Sequence, residues 1–569
     1  MKLASFFQQQ AVSILQPLTS LTEEQLIHML EVPPQIEMGD LAFPCYLLAK
    51  TWRCSPQAIA LELTATIQNH PDSWVQATAV GAYVNLKWNR EHYGAQLLSS
   101  LAEKQNTELT IGAGQRIVID MSSPNIAKPF GVGHLRSTVI GAALHRIYEA
   151  AGYEAIRVNH LGDWGTQFGK LITAYLRWGD PEQLKHHPIR ESLRVYIQFH
   201  EEVLQAPELE DEAREWFARL EQGDAQAIEL WKYFVDVSIE SLQPMYQRLG
   251  VEFDYVLGES FYNDKMPAVI EQLQSKGLLV ESDGAQVVRL DEHQLPPCLI
   301  LKSDGTTIYP TRDLATAIYR KEVMGADQLV YVVGGEQTLH FKQVFEVLRK
   351  MGYTWAKDCT HVSFGLMKVD GKKMSTRKGK VVFLEEVLDE AVEQARRIIS
   401  EKSPDLPDKE RVAEQVGIGA IIFGDLKNNR QNEINFSLQQ AVTFEGETGP
   451  YIQYTYARIQ SILRKVTSDP NAVEQEISNH PWSDESWALL VHLSTYTQQL
   501  ERAVAQHEPS ILARYIIEIA KLFNQFYNKD RIVDAPTALK NQRVALTVQT
   551  GLYLKRVMTL LGIETPAQM

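Results

Sequence analysis

Apolar residues change their spacing several times along the chain, and the changes divide it. Phe6, Phe7, Val12 and Leu15 fit one face of an opening helix. Helical spacing returns at 22–30 and 55–68, and GAYVNLKW at 81–88 reads as a strand. QNTELTIGAGQ, with glycines at 112 and 114, reads as a linker. RIVIDM at 116–121 is a β-branched run suited to a buried strand; a Pro/Gly loop, SSPNIAKPFGVG, and a helical stretch to Ala151 follow. EAIRVNHLGD at 154–163 supplies the next strand. Strand, loop, helix and strand at this spacing form a βαβ unit and imply a parallel sheet.

The second half of that pattern comes late. GADQLVYVVGGEQ at 325–337 reads as a strand ending in two glycines, a helix is expected over 338–351, and HVSFGLM at 361–367 as one further strand. Between about 180 and 300 lies an apparent insertion, helical and acidic early, with strand-like QVVRL at 286–290. Residues 382–436 return to helix, and from 441 the chain is helical almost throughout. Ile511, Leu512, Tyr515, Ile516, Ile519, Leu522, Phe523, Phe526 and Tyr527 make a stripe at three- and four-residue steps, the mark of a bundle core. The expected fold is a multidomain α/β protein. A Rossmann-type parallel-sheet domain is split by an insertion and flanked by an α+β N-terminal domain and an all-α C-terminal bundle. The boundaries are 1–108, 109–180 and 301–365 for the two sheet halves, 181–300 for the insertion, 366–440 for a helical junction, and 441–569 for the bundle.

Composition narrows the class. Cys45, Cys54, Cys298 and Cys359 lack the paired spacing of a zinc site and are too few for a disulfide framework. They are expected to be buried or half-buried free thiols, and no structural metal is expected. No run approaches the ~18 apolar residues of a membrane span, and the start lacks a secretion signal. The expectation is a cytoplasmic protein with no membrane partner. The formal charge of −15 argues against a partner held by phosphate charge alone. That average hides opposed segments. Residues 201–240 hold three basic and twelve acidic residues, whereas 511–563 hold eight basic and three acidic.

Two segments carry candidate chemistry. Gly131-Val132-Gly133-His134 follows a strand and opens a helix, where small residues admit a nucleotide and helix N–H groups favour phosphate. From Leu366 to Lys380, six basic residues stand against one acid, around Lys373-Met374-Ser375-Thr376. Such a loop suits a mobile cover that stabilises charge on a leaving pyrophosphate.

In this order the two segments resemble the HIGH and KMSKS elements of class I aminoacyl-tRNA synthetases. SSPNIAKPFGVGHLRSTVIG, VNHLGDWGTQFG, YPTRDLA, MSTRKG and GETGPYIQYTYARI together resemble the arginyl-tRNA synthetases, from GDLAFPCYLLAK at 39–50 to the closing helices. The resemblance implies an enzyme that joins arginine to tRNA(Arg) through an arginyl-adenylate, using ATP with Mg2+, and a monomer. It implies that Ser123, Asn125, His134, Tyr309, Asp313 and Gln337 hold the amino acid, with Asp120 as a guanidinium acceptor. Tyr309 and Asp313 stand one helical turn apart, which lets a phenol and a carboxylate address one group. ATP is implied at Gly131, Gly133, His134, Gly335, Glu336, Met374 and Ser375, after Gly334, with His340 behind it. Lys128, His134, Lys373 and Ser375 are the implied catalytic groups, Lys128 also touching ATP. Two departures stand out: Gly131 replaces the first His, and Thr376 replaces the second Lys. In family members lacking that lysine a basic residue precedes the HIGH element, and Lys128 occupies that place. Residues 1–108 resemble the N-terminal domain that reads the tRNA elbow, with Asn85 as a base contact, and 441–569 an anticodon-binding domain. Tyr454, Tyr456 and Arg458 are expected to meet the tRNA. The other readings are a class I enzyme for another amino acid, a non-catalytic tRNA-binding paralogue, and a small-molecule nucleotidyltransferase.

Overall fold

The structure is a computed structural model that describes residues 6–33, 35, 38–69, 74–104, 109–126, 130–369, 372–373, 383–466 and 480–569. At the N-terminus β1 (Leu41–Pro44), β2 (Val75–Val80) and β3 (Tyr83–Trp88) form an antiparallel sheet in the order β1-β3-β2. Sequence spacing indicated only β3. The helices Phe6–Thr19 and Pro56–Gln68 bury Phe7, Leu15, Ile59 and Leu63 in the same core. Ser55 caps the second, its Oγ accepting from the Ala58 N–H. Phe7 stacks on Trp88 and leans on Trp487, and Arg90 pairs with Asp484, so this unit is fastened to the C-terminal bundle.

The central sheet is parallel. Its strands β4 (Arg116–Asp120), β5 (Glu154–Asn159), β6 (Tyr255–Val256), β10 (Gln328–Tyr331) and β11 (Cys359–His361) lie in the order β11-β10-β4-β5-β6. Both faces are covered, which is why these strands read as continuous apolar runs. Ile117, Ile119 and Val330 enter one core, Val118, Leu329 and Tyr331 the other. Each fully buried aliphatic or aromatic side chain of this kind contributes ~1.5–3 kcal/mol.

Two expectations are corrected. The segment 361–367 is not one strand: β11 ends at His361 and β12 (Met367–Val369) belongs to another sheet, beside β14 (Ile434–Phe436) and β13 (Lys372–Lys373). The stretch 181–300 is also not one insertion, because β6 returns to the central sheet within it. Before β6 come the helices Pro188–Glu202, Glu208–Glu221 and Ala225–Leu249. After it β7 (Leu279–Ser282), β8 (Ala285–Val288) and β9 (Cys298–Leu301) make a small antiparallel sheet.

The helices Gly449–Val466, Asp484–Ser494, Tyr496–Gln506, Ser510–Lys529 and Thr537–Leu561 build the C-terminal bundle. The expected stripe is its core: Leu512, Tyr515, Ile516, Ile519, Phe523 and Phe526 are buried, while Tyr527 emerges. Three cysteines are buried; Cys54 is exposed, contrary to expectation. No helix among the described residues is long and apolar enough to cross a membrane.

Candidate active site

In the central sheet β4 connects onward to β5 on one side while β10 pairs on its other side, with Asp120 opposite Tyr331. The chain therefore leaves these two strand ends in opposite directions, which opens a crevice of the kind that binds ligands in α/β sheets.

On the β4 side, Ser122 (φ 69°) and Ser123 (φ 49°) are successive left-handed residues, each costing about 1–3 kcal/mol. A polar network holds them. The Ser122 N–H donates to Ser137 Oγ (2.9 Å), Ser137 Oγ donates to the Val332 carbonyl (2.6 Å), and Thr138 Oγ1 donates to Ser122 Oγ (2.8 Å). The Ser123 N–H donates to Asn159 Oδ1 (3.1 Å), and Asn159 Nδ2 to the Tyr246 hydroxyl (3.1 Å). Burial pushes the Tyr246 phenol up to about 12, so it stays protonated at neutral pH. Ser123 Oγ donates to Asp120 Oδ1 at 2.8 Å.

The helix Val132–Ala150 begins at Gly131, whose N–H donates to His134 Nδ1 at 3.3 Å. A neutral His134 in this bond carries its proton on Nε2. The ring stacks on Phe130, centroids 5.5 Å apart. At Gly133 a Cβ would meet none of the described residues within 4 Å, and helix N–H groups there favour an anion. Past β10, Gly335, Glu336 and Gln337 form an exposed helical turn before the helix Thr338–Lys350. Asn125 forms a parallel bridge with Gly162 and is exposed.

Carboxylates cluster near the end of β4: Asp120 and Asp313 both act on His160, and Asp313 on Glu259. Tyr309 and Asp313 do lie one turn apart, at the first and fifth residues of the helix Tyr309–Glu322. His340 Nε2 stands 2.5 Å from Asp313 Oδ2 and orients it. Glu259, which no sequence pattern singled out, accepts from Arg312 Nη1 at 3.0 Å. Burial pushes its carboxyl up to about 7, with Arg312 opposing and Asp313 and Asp163 adding. His160, half-buried beside Asp120 and Asp313, is pushed down by desolvation and stays neutral.

Asp120 requires a correction. It is buried, with Oδ2 held by Arg320 at 2.8 Å and Oδ1 by Ser123. Arg320 is itself buried and lies over Tyr331. The carboxylate expected to receive a guanidinium already holds one belonging to the chain. Asn85 is a second correction: at 4% exposed it is covered at the centre of the N-terminal sheet, not presented to a base. Tyr456 is a third, buried at 7% among Ile452, Ile459 and Leu463. Tyr454 is exposed, and the Arg458 guanidinium lies 5.0 Å from its ring and 5.5 Å from that of Tyr527. Lys128, Met374 and Ser375 lie outside the described residues; Lys373 ends β13. Among the described residues no group of three His, Cys, Asp or Glu is placed to hold a metal ion.

Comparisons with known proteins agree along the whole chain. Residues 96–438 match the family described as class I (R) tRNA synthetases, catalytic domain. Residues 452–569 match the DALR anticodon binding domain, and 7–88 the arginyl tRNA synthetase N terminal domain. Arginine–tRNA ligase 1 of Bacillus cereus is 49% identical over 552 residues, 96% of this chain and 97% of that protein. Arginine–tRNA ligase of Streptococcus mutans is 49% identical over 554 residues, 97% of each. The arginyl-tRNA synthetase structure from Thermus thermophilus has a TM-score of 0.79 at 26% identity, covering 99% of both chains. That from Plasmodium falciparum, at 23% identity and TM-score 0.80, shares the fold over 99% of both.

Proposed function

The chain belongs to the arginyl-tRNA synthetase family of class I enzymes, and from that premise we infer how its residues divide the work. Its activity is the ATP-dependent ligation of arginine to tRNA(Arg). Membership sets aside the binding-only paralogue, the nucleotidyltransferase and a synthetase for another amino acid.

The observation that carries the residue assignment is the cluster of Asp313 and Glu259 with Asp120 and His160 at the end of β4. A guanidinium is a planar fork of donors that needs acceptors. Asp313 and Tyr309 would take it, with Glu259 as the further acceptor. Asp120 would instead hold the wall through Arg320. Ser123, Asn125 and Gln337 would position the α-amino and carboxylate groups. ATP enters as its magnesium complex, a substrate, with its phosphates at Gly131, Gly133 and His134 and its ribose at Gly335 and Glu336. The basic segment with Lys373, Met374 and Ser375 would supply charge to the phosphates.

An arginine carboxylate oxygen attacks the α-phosphorus in line, and the bond to pyrophosphate breaks. The terminal ribose hydroxyl of tRNA then attacks the aminoacyl carbonyl, and AMP leaves. Both steps rest on positioning and charge stabilisation, with no covalent enzyme intermediate. Tyr454 and Arg458 offer a stacking plane and a cation to tRNA. The enzyme is read as a cytoplasmic monomer that requires bound tRNA for activation.

Lys128 is assigned the phosphate contact that Thr376 cannot make. Lys128→Ala is expected to slow arginyl-adenylate formation at least tenfold, about 1.4 kcal/mol in the barrier, measured by single-turnover pyrophosphate release at saturating tRNA. Near-normal rates in that variant would overturn the assignment.

A further inference from the structure

The segment VNHLGDWGTQFG at 158–169 carries part of the family resemblance, yet its Asp163 has no part in the mechanism above. Asp163 is buried just past the end of β5. Both of its carboxylate oxygens engage one residue on the neighbouring segment. Oδ1 accepts from the Ser260 N–H at 2.8 Å and Oδ2 from Ser260 Oγ at 2.6 Å. These bonds carry the β5–β6 pairing beyond its last strand residues. The Leu257 N–H donates to the Asn159 carbonyl (3.1 Å), and the Glu259 N–H to the Leu161 carbonyl (2.9 Å). Glu259 is therefore held at its own N–H and through the residue that follows it.

Gly258 makes room for this contact. A Cβ there would lie 2.2 Å from Asp163 Oδ2 and 2.3 Å from its Cγ, so a larger residue would drive the carboxylate off the turn. The Asp163 carbonyl accepts from Trp231 Nε1 at 2.7 Å, which ties the same segment to the helix Ala225–Leu249. Glu259 then opens the short helical turn Glu259–Lys265 and meets Arg312, whose Nη2 also reaches Asn263 Oδ1 at 3.5 Å. The charged and titratable groups facing Glu259 come from two elements. Tyr309, Arg312 and Asp313 belong to the helix Tyr309–Glu322, and Asp163 to the segment after β5. Of the two carboxylates, Asp163 is the one that also holds the backbone beside Glu259.

We propose that Asp163 is a positioning residue for arginine recognition: it fixes the turn 258–260 and so sets where the Glu259 carboxylate meets an incoming guanidinium. The proposal rests on the reading of Glu259 as a guanidinium acceptor. Charge supplies a readout that a purely structural brace would not move. Burial pushes the Glu259 carboxyl up to about 7, and repulsion from Asp163 adds to that rise. An amide at 163 withdraws the charge while its oxygen still accepts the Ser260 N–H.

The test is kcat/KM for arginine in ATP–pyrophosphate exchange at saturating tRNA(Arg), followed across neutral pH, with thermal melting alongside. In Asp163→Asn the inflection is expected to move down by about half a pH unit. Asp163→Ala, which also loses the hold on Ser260, should lose about tenfold or more in kcat/KM for arginine, chiefly through KM, with KM for ATP within about twofold. Asp163→Asn should lose less than Asp163→Ala. Should the position-163 variants not fold, Ser260→Ala removes one of the two donors and is expected to raise KM for arginine severalfold without lowering the inflection. An inflection unmoved in Asp163→Asn, a loss in Asp163→Ala shared equally with ATP, or an unchanged KM for arginine in Ser260→Ala overturns the proposal. A Glu259→Gln enzyme that keeps the wild-type pH profile would instead overturn the reading of Glu259 as an acceptor.

Discussion

On one side of the β4–β10 crevice, carboxylates already face cations or imidazole of the chain: Glu259 with Arg312, Asp120 with Arg320, Asp313 with His340. The helix Val132–Ala150 offers N–H groups and His134, and at Gly133 a Cβ would meet no described residue within 4 Å; Lys128 and residues 374–380 lie outside the described residues. The contrast separates two modes of recognition. The amino-acid side is preorganised and works by exchange, since an incoming guanidinium competes with partners already in place. On the proposed reading the phosphate side works by addition, with Lys128 and the basic segment supplying charge to a helix start that offers N–H groups.

This contrast breaks first at Asp313. Asp313→Asn is expected to cost on the order of 100-fold in kcat/KM for arginine, about 2.7 kcal/mol, within the range for a charge-assisted bond. KM for ATP should stay within twofold; steady-state kinetics with each substrate varied checks it. A loss shared equally by both substrates would merge the two sides.

The pH dependence sharpens it. With the Glu259 carboxyl near 7, its charged fraction rises as pH climbs from 6 to 8. Arginine is a cation throughout, so kcat/KM for arginine should rise about tenfold over that interval. Glu259→Gln should flatten the profile, while the profile for ATP should not carry this inflection.

The buried pairs differ in what their removal does. Asp425 and Arg136 are each 1% exposed, away from the pocket. Asp425→Ala should cost about 3–5 kcal/mol of stability by stranding a buried charge, read by urea unfolding, while an Arg136→Met, Asp425→Leu double variant recovers most of it. The smallest effect is expected on the bundle surface. Tyr454→Ala should raise KM for tRNA severalfold and Tyr456→Phe should leave it unchanged, because one ring is exposed and the other is core.

Legibility from sequence followed the range of the interactions. The βαβ unit, the second half-sheet and the bundle stripe were readable because period and length suffice for them. Tyr309 and Asp313 were readable because a helix brings them together locally. Glu259 was not: it lies fifty residues upstream, reached through the short helical turn Glu259–Lys265 and a pairing with Arg312 that no local pattern announces. Asp120 was expected to accept a ligand guanidinium, because Arg320, the guanidinium it holds, is 200 residues away and no local pattern announces it. The split of 361–367 between two sheets depends on which strand each half finds, β10 or β14. For Tyr456 the signal was present, since Ile452, Tyr456, Ile459 and Leu463 share one helical face, and the aromatic cluster around it masked that face.

The central claim is that the Tyr309–Asp313–Glu259 pocket reads the positive charge of the guanidinium. The most direct test is ATP–pyrophosphate exchange at saturating tRNA(Arg), comparing arginine with its neutral isostere citrulline in wild type and Asp313→Asn. The account predicts a wild-type preference for arginine on the order of 1,000-fold, most of it lost in Asp313→Asn, with ATP saturation unchanged. An Asp313→Asn enzyme that keeps the full preference, or loses affinity for ATP instead, would contradict it.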